Sequence, residues 1–186
     1  MNKDSSLIIL GIDPGTLATG YALIEKKASR LTAVASGVIS THASDTLPIR
    51  LGKIYDQIFA VINEYHPDHC AIETAFYGKN IQSTLKLGHA RGVSILAAVH
   101  REIPVTEYSP REIKRSVTGS GAASKQQVQY MVHSILGLKQ KISRLDISDA
   151  FAIALCHAQH LSSPRAKFRD WTTFIKENPD RIKQGR

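Results

Sequence analysis

Residues 7–40, LIILGIDPGTLATGYALIEKKASRLTAVASGVIS, decide the fold. Short polar or glycine-containing breaks divide this stretch into three segments rich in Val, Ile, Leu, Tyr and Ala: 7–13, 19–26 and 31–40. Such runs between turn signals are typical of strands. The stretch therefore predicts three consecutive strands joined as antiparallel hairpins, with Asp13 at the end of the first.

The pattern changes after this stretch. Residues 46–67, TLPIRLGKIYDQIFAVINEYHP, have apolar residues at helical spacing and end at a proline, so they predict a long helix. A short strand over 69–75, a second long helix over 80–103 and a strand over 105–109 follow. A strand, helix, strand order normally gives a parallel pair with a right-handed connection. The predicted fold is α/β, with a five-stranded mixed sheet and helices on both faces.

Three further helices are predicted. Ser109 before Pro110 is a suitable N-cap for a short helix that stops at Gly119, and amphipathic helices follow over 123–136 and 146–161. The basic segment between the last two predicts a loop. We expect residues 1–162 to form one domain and residues 163–186 a basic, partly disordered tail.

Composition and charge restrict the class of protein. The chain has 186 residues, of which 42% are hydrophobic and 22% charged, which is ordinary for one globular domain. Its formal net charge of +8 favours a polyanionic partner, either nucleic acid or an anionic membrane surface.

The short apolar run near the N-terminus fits neither a signal peptide nor a membrane span, so a cytoplasmic location is expected. Cys70 and Cys156 lack CxxC spacing and predict buried thiols.

Four acidic residues stand in otherwise apolar surroundings. They are Asp13 in LIILGIDPGT, Glu73 in CAIETAF, and Asp146 and Asp149 in LDISDAFAIALCHA. A carboxylate in such surroundings costs free energy unless something positive pairs with it. The predicted elements can bring all four groups to one edge of the sheet, where they would raise one another's pKa unless cations lie between them.

Each acid taken alone also has an ordinary structural explanation. Asp13 before Pro-Gly is typical of a turn cap. Glu73, buried in a central strand, could form an ion pair with a Lys or Arg. Asp146 and Asp149 lie on the first turn of a helix, where acids commonly act as caps. Their occurrence together favours one shared partner, a divalent cation.

Oxygen ligands without cysteine favour Mg²⁺ or Mn²⁺ over zinc. Two such ions roughly 3.5–4 Å apart can activate a water, hold a scissile phosphate and stabilise the leaving oxygen. In a basic protein this site predicts a metal-dependent nuclease, with Asp13 and Glu73 as its central ligands. No histidine base is needed, so His157 and His160 are interpreted as structural or surface residues.

An ordered set of motifs runs from about residue 8 to about residue 160. The motifs are GIDPGT around Asp13, AIETAF and GKN around Glu73, LKLGHARGV, the K-x-x-V-T-G of Lys114 to Gly119, KQQVQYMV after Ser124, and DISDAFAIALCHA. The set resembles the RuvC family of Holliday-junction resolvases. A single motif such as GIDPGT is weak, but the ordered set is specific.

The resemblance implies a ribonuclease-H-like fold and a homodimer. It also implies paired, Mg²⁺-dependent incisions in opposing strands of a four-way DNA junction, which leave 5′-phosphate and 3′-hydroxyl ends. Two Mg²⁺ per subunit are expected, with Mn²⁺ as a substitute, and the RuvA–RuvB branch-migration complex as a partner. The family's four catalytic acids and metal ligands fall on Asp13, Glu73, Asp146 and Asp149.

The resemblance also assigns residues to DNA. Lys114 and Lys125 match basic positions associated with DNA contact and catalysis, and Phe76 matches an aromatic that acts on the bases at the crossover. Together with Arg115 these lysines flank a glycine-rich break, where they could contact phosphates or form a solvated helix face. Phe76 could stack on an unpaired base or belong to the core. Lys79 is assigned to the same basic surface.

Three other functions share part of this pattern. GIDPGT also resembles the phosphate-binding loop of actin-like ATPases, but that fold needs two such subdomains to close over a nucleotide. A ribonuclease acting on RNA–DNA hybrids would share the fold and metals but not the LKLGHARG helix. A catalytically silent junction-binding protein would not need the complete set of acids.

Overall fold

The computed structural model describes residues 6–74, 81–140 and 142–162. Within these ranges the elements follow in the order β1 (Ser6–Asp13), β2 (Ala18–Lys27), β3 (Arg30–Ser40), α1 (Leu47–Tyr65), β4 (His69–Glu73), α2 (Ile81–Val99), β5 (Val105–Tyr108), α3 (Pro110–Thr118), α4 (Lys125–Leu136) and α5 (Leu145–Ser162). No helix in these ranges is long and apolar enough to cross a membrane.

The five strands form one mixed sheet in the order β3-β2-β1-β4-β5. β1, β2 and β3 pair antiparallel, while β4 pairs parallel with both β1 and β5. The predicted α/β fold with a mixed sheet is therefore confirmed. Ile12 pairs with Ile72, so Asp13 and Glu73 follow at the same edge of the sheet, each as the last residue of its strand.

Helices cover both faces of the sheet, as predicted. On one face, α1 and α2 pack against Leu10, Ile12 and Ile72. On the other face, α3, α4 and α5 pack against Ile9 and Ala71. Because side chains alternate along a strand, Asp13 and Glu73 project toward the second face, where α5 lies.

Helix α5 is the central helix of this second face. It contacts β1 and β2 and is buried continuously from Ala150 to Ala158. A helix that is apolar all round is expected where packing partners surround it. The preceding first turn, with Asp146 and Asp149, reaches the edge of the sheet where β1 and β4 end.

Some element ends differ from the predictions. The helix predicted over 80–103 ends at Val99, because Glu102 has a left-handed backbone with φ of 55° and Pro104 disfavours helix in the residue before it. The helix predicted from residue 123 begins at Lys125. Ser124 is its N-cap, and its hydroxyl accepts from the backbone N–H of Gln127 at 3.2 Å.

Other predicted features lie partly outside the described residues. The strand predicted over 69–75 is observed over His69–Glu73, and residues 75–80 are not among the described ones. The tail predicted over 163–186 also lies outside them, so its disorder and the domain boundary at residue 162 remain predictions.

Candidate active site

The four predicted acids come from three elements that meet at one edge of the sheet. Asp13 ends β1, Glu73 ends the neighbouring β4, and Asp146 and Asp149 lie in the first turn of α5. The helix approaches the sheet closely because β1 and β2 carry glycine where α5 crosses them. The structure therefore places the four acids at one edge of the sheet, and their role as metal ligands stays a prediction.

The charges of these acids influence the pKa of Asp13 and Glu73. Burial, followed by the charges of Asp149, Glu73 and Asp146, raises the pKa of Asp13 from its ordinary 3.8 to about 8, against an opposing effect of Lys125. Burial and then the charge of Asp149 also raise the pKa of Glu73. A concentration of negative charge with its deepest member protonated near neutral pH is a favourable place for a cation.

Two side-chain cations already contact the acids of α5. The ammonium of Lys125 donates to Asp149 Oδ2 at 3.0 Å, and the guanidinium of Arg144 donates to Asp146 Oδ2 at 3.1 Å. Arg144 also reaches Ser40 Oγ, at 3.5 Å. Within residues 6–74, 81–140 and 142–162, Asp13 and Glu73 have no such ion pair.

Arg144 was missed by the sequence analysis, which assigned it only to a basic loop. Its position two residues before Asp146 is the signal that could have identified it, since residues this close to a helix start can reach the first turn. The contact places a third basic residue beside the acids, in addition to the predicted Lys114 and Lys125.

A cavity of about 170 Å³ opens beside the acids. Its charged lining consists of Glu73, Asp149, Lys114 and Lys125, and Ile113 and Val128 contribute apolar walls. The cavity thus presents carboxylates and ammonium groups to the same small volume. This combination suits a phosphodiester, whose anionic oxygens need cations and whose hydrolysis needs a positioned water.

Other predicted residues lie elsewhere. Arg115 is exposed and does not line the cavity; it is near Glu112 and Cys156 instead. Phe76 and Lys79 lie outside the described residues. His157 is buried, and its Nδ1 is 2.8 Å from the hydroxyl of Tyr108, which agrees with a structural role.

The four acids have the oxygen donors that a hard divalent cation prefers, but their side chains do not surround a common metal position. All four offer carboxylate oxygens, the donors that Mg²⁺ and Mn²⁺ prefer. However, among the described residues no three His, Cys, Asp or Glu side chains are grouped closely enough to hold a metal ion. Asp149 and Asp146 are directed at Lys125 and Arg144, so metal binding requires these side chains to rearrange.

The sheet order, the helix across its face and the acids at the ends of β1 and β4 define a ribonuclease-H-like domain. Comparison with known proteins specifies the family. Residues 9–157 match the model of the crossover junction endodeoxyribonuclease RuvC family. The chain belongs to this family.

The relatives cover nearly the whole chain. The crossover junction endodeoxyribonuclease RuvC of Cytophaga hutchinsonii is 47% identical over 187 aligned residues, covering 98% of this chain and 94% of that protein. The protein of the same name from Geobacter sulfurreducens is 49% identical over 150 residues, covering 81% and 91%.

A solved structure of T. thermophilus RuvC in complex with a Holliday junction substrate is similar with a TM-score of 0.79 and 31% identity, covering 83% of this chain and 94% of that chain. The yeast mitochondrial Holliday junction resolvase Ydc2, at 16% identity and a TM-score of 0.61, shares the fold.

Proposed function

We propose that this protein is a structure-selective endonuclease that resolves four-way DNA junctions by metal-dependent hydrolysis of phosphodiester bonds. The observation that carries the proposal is the meeting of Asp13, Glu73, Asp146 and Asp149 at one sheet edge, where the charges of the other three acids add to the effect of burial on the Asp13 pKa. Family membership supports it, since the T. thermophilus relative was solved with a Holliday junction substrate. Recombination and DNA repair are the processes in which such junctions arise.

The four carboxylates would hold two Mg²⁺ ions, with Mn²⁺ as a substitute. Bound ions of this kind activate water and stabilise the charge that develops on the phosphate and leaving oxygen. The chain's own residues supply the rest of the site. Asp13 must lose its proton to become a ligand, and the ends of β1 and β4 would position it and Glu73.

Lys114 and Lys125 would bind the scissile phosphate from the cavity wall opposite the strand ends. Both line the cavity that also contains Glu73 and Asp149, so an ammonium can contact the phosphate beside the carboxylates. Lys114 is assigned a catalytic role because it can balance charge on the reacting phosphate. Hydrolysis of this type leaves 5′-phosphate and 3′-hydroxyl ends that can be ligated.

The rest of the DNA-binding surface is proposed from charge and sequence. A net charge of +8 favours binding to the phosphate backbone. Arg115 is exposed on α3 and available for such a contact. Phe76 and Lys79, which precede α2, are proposed to act on bases and backbone at the crossover.

A homodimer is proposed because two incisions in opposing strands need two active sites. Within the described residues, helix α2 has an exposed apolar stripe opposite its core face. It consists of Ile81, Leu85, Leu96 and Val99, with Gly88 and Gly92 between them. Both glycines have open space beside them, so a second helix can approach closely. Such a stripe on a charged chain is typical of a protein interface.

The remaining proposals follow from family membership alone. The RuvA–RuvB branch-migration complex is the proposed partner that delivers the junction. Action on chromosomal junctions places the protein in the cytoplasm of a bacterial cell.

The decisive experiment compares a synthetic four-way junction with a matched duplex and an RNA–DNA hybrid, each with Mg²⁺ or with chelator. We expect symmetric cuts in the junction only, and only with Mg²⁺. Asp13→Asn should abolish cutting and retain junction binding, since it removes a metal ligand and adds no negative charge. Equal cutting of duplex and junction would indicate a general nuclease without junction selectivity. Full cleavage by Asp13→Asn would contradict the assignment of Asp13 to the active site.

A further inference from the structure

Lys125 is held beside the acidic site by the start of α4. It is the first residue of that helix, directly after the N-cap Ser124. Ser124 and Gln127 form a capping box, in which the side chain of each accepts from the backbone N–H of the other. The backbone of Lys125 is therefore fixed, while its long side chain is free to move.

The Lys125 side chain crosses from α4 to α5. Its Nζ lies 3.0 Å from Asp149 Oδ2, and the Lys125 and Asp149 side chains are 61% and 23% exposed. Lys114 lines the same cavity but forms no ion pair with an acid among the described residues. One of the two cavity lysines is thus paired with a carboxylate and the other is not.

This pairing conflicts with the use of Asp149 as a metal ligand. A carboxylate oxygen in contact with an ammonium has that side of the group occupied, and a divalent ion placed there would repel the ammonium. The absence of any closely grouped set of three ligand side chains in the described residues is consistent with this occupation.

We propose that Lys125 is the resident cation of the acidic site: it holds Asp149 in the metal-free protein and is displaced when a divalent ion binds. The displaced ammonium remains tethered at the cavity wall, where it can bind a DNA phosphate. Metal binding and phosphate binding are thereby coupled through one side chain. This inference rests on the proposed metal site.

The exchange should be easy because the pair is partly exposed. Partly exposed ion pairs stabilise a protein only weakly. Breaking one changes an equilibrium constant by about two- to fivefold. Removing Lys125 should therefore tighten metal binding by about that factor, whereas a lysine that positions Asp149 for the metal would give weaker binding when removed.

The first test is titration of the full-length protein with Mn²⁺ by calorimetry, without DNA. Lys125→Gln should bind Mn²⁺ about two- to fivefold more tightly than wild type, and Lys125→Arg, which keeps the ion pair, should stay near wild type. Lys114→Gln is the matched control, since it removes the same charge from the same cavity without breaking a pair. Unchanged or weaker binding by Lys125→Gln, or an equal gain in Lys114→Gln, would overturn the proposal.

The second test observes the ammonium directly. Lysines of the wild-type protein are labelled with an amine-reactive reagent in chelator or in Mg²⁺, and the extent of labelling is read by mass spectrometry. Release from Asp149 should increase labelling of Lys125 relative to Lys114 when Mg²⁺ is present. A constant or falling ratio contradicts the exchange.

The two proposals fail in different ways. If Mn²⁺ binding to wild type is absent, or is unaffected by Asp13→Asn, the proposed metal site is wrong. If Mn²⁺ binding requires Asp13 but either Lys125 test fails, only the exchange is wrong. Melting curves in chelator confirm that each variant is folded.

Discussion

Gly20 of β2 lies directly beneath Asp146 of α5. A Cβ atom on Gly20 would be 2.1 Å from the carbonyl oxygen of Asp146 and 3.1 Å from its Cβ. Gly20 also pairs with Asp13 in the sheet. The missing side chain therefore allows the first turn of α5 to pack directly on the strand that pairs with Asp13.

Gly20→Ala should displace the first turn of α5 and weaken the site. The obstructing atom belongs to backbone, which cannot rotate away, so the helix start must shift. Overpacking of this kind costs about 1–3 kcal/mol. We expect a lower melting temperature together with a loss of Mn²⁺ affinity, measured by thermal denaturation and calorimetry.

Gly52→Ala is the matched control for this substitution. Gly52 is exposed on α1 and has no atom within 4 Å of an added Cβ. Alanine should stabilise that helix by about 0.5–1 kcal/mol and leave metal affinity unchanged. If Gly20→Ala keeps wild-type stability and metal affinity, the position of α5 does not depend on its close packing against Gly20.

The metal-free protein should lose stability as the pH rises toward 8. Burial, with the nearby acids, raises the pKa of Asp13 to about 8 from an ordinary 3.8. Between these values the folded protein holds a proton that the unfolded chain has released, so unfolding becomes easier as pH increases. The pKa of Glu73 is raised by the same causes and acts in the same direction.

Melting temperatures in chelator between pH 6.5 and 8.5 measure this dependence. The range begins at 6.5 because burial lowers the pKa of His157 to about 4 and reduces stability at lower pH. Asp13→Asn should have a flatter profile than wild type, and Asp56→Asn, at an exposed aspartate of α1, should match wild type. Saturating Mg²⁺ should also flatten the wild-type profile. A wild-type profile as flat as that of Asp13→Asn would contradict a raised Asp13 pKa.

A charge on the apolar stripe of α2 should dissociate the proposed dimer. Leu85 is 60% exposed on the stripe, one turn before Gly88. A glutamate there would lose its water in a helix pair without gaining a positive partner. Sedimentation velocity should show a dimer for wild type and a monomer for Leu85→Glu. Junction cleavage by the variant should yield single nicks more often than paired cuts.

Ile49→Glu provides the control for added charge. Ile49 is 59% exposed in the first turn of α1, where a glutamate is compatible with the helix dipole. This variant should remain dimeric. A dimeric Leu85→Glu protein would exclude the α2 stripe as the interface.

The order of the elements could be predicted because it depends on local signals. Apolar runs between turn signals predicted the strands. The parallel pairing of β1 with β4, which brings Asp13 and Glu73 to one edge of the sheet, is a long-range contact that no local signal specifies. A helix start was predictable where the sequence contains a capping residue, as at Ser109 before Pro110. The end of α2 was not, since it depends on the left-handed backbone of Glu102.

The ion pairs in the site could not be predicted from the sequence. Lys125 and Asp149 are on different helices, and their contact depends on how α4 and α5 pack. The same holds for Arg144 with Ser40, which joins the α5 entry to the end of β3. Long basic side chains can point in many directions. The charge pattern of the sequence therefore does not distinguish a lysine that contacts DNA from one that contacts a carboxylate.

The buried bond between Tyr108 and His157 should stabilise the fold around Glu73. Tyr108 pairs with Glu73 in the sheet, and its hydroxyl lies 2.8 Å from His157 Nδ1 on α5. Burial raises the pKa of Tyr108 to about 12 and lowers that of His157 to about 4, so both groups are neutral near pH 7. Tyr108→Phe leaves the imidazole nitrogen without this partner and should cost about 1 kcal/mol, or about 2–4 °C in melting temperature. Tyr130→Phe, at a tyrosine 71% exposed on α4, should melt like wild type, and equal melting of both variants would show that the buried bond contributes nothing.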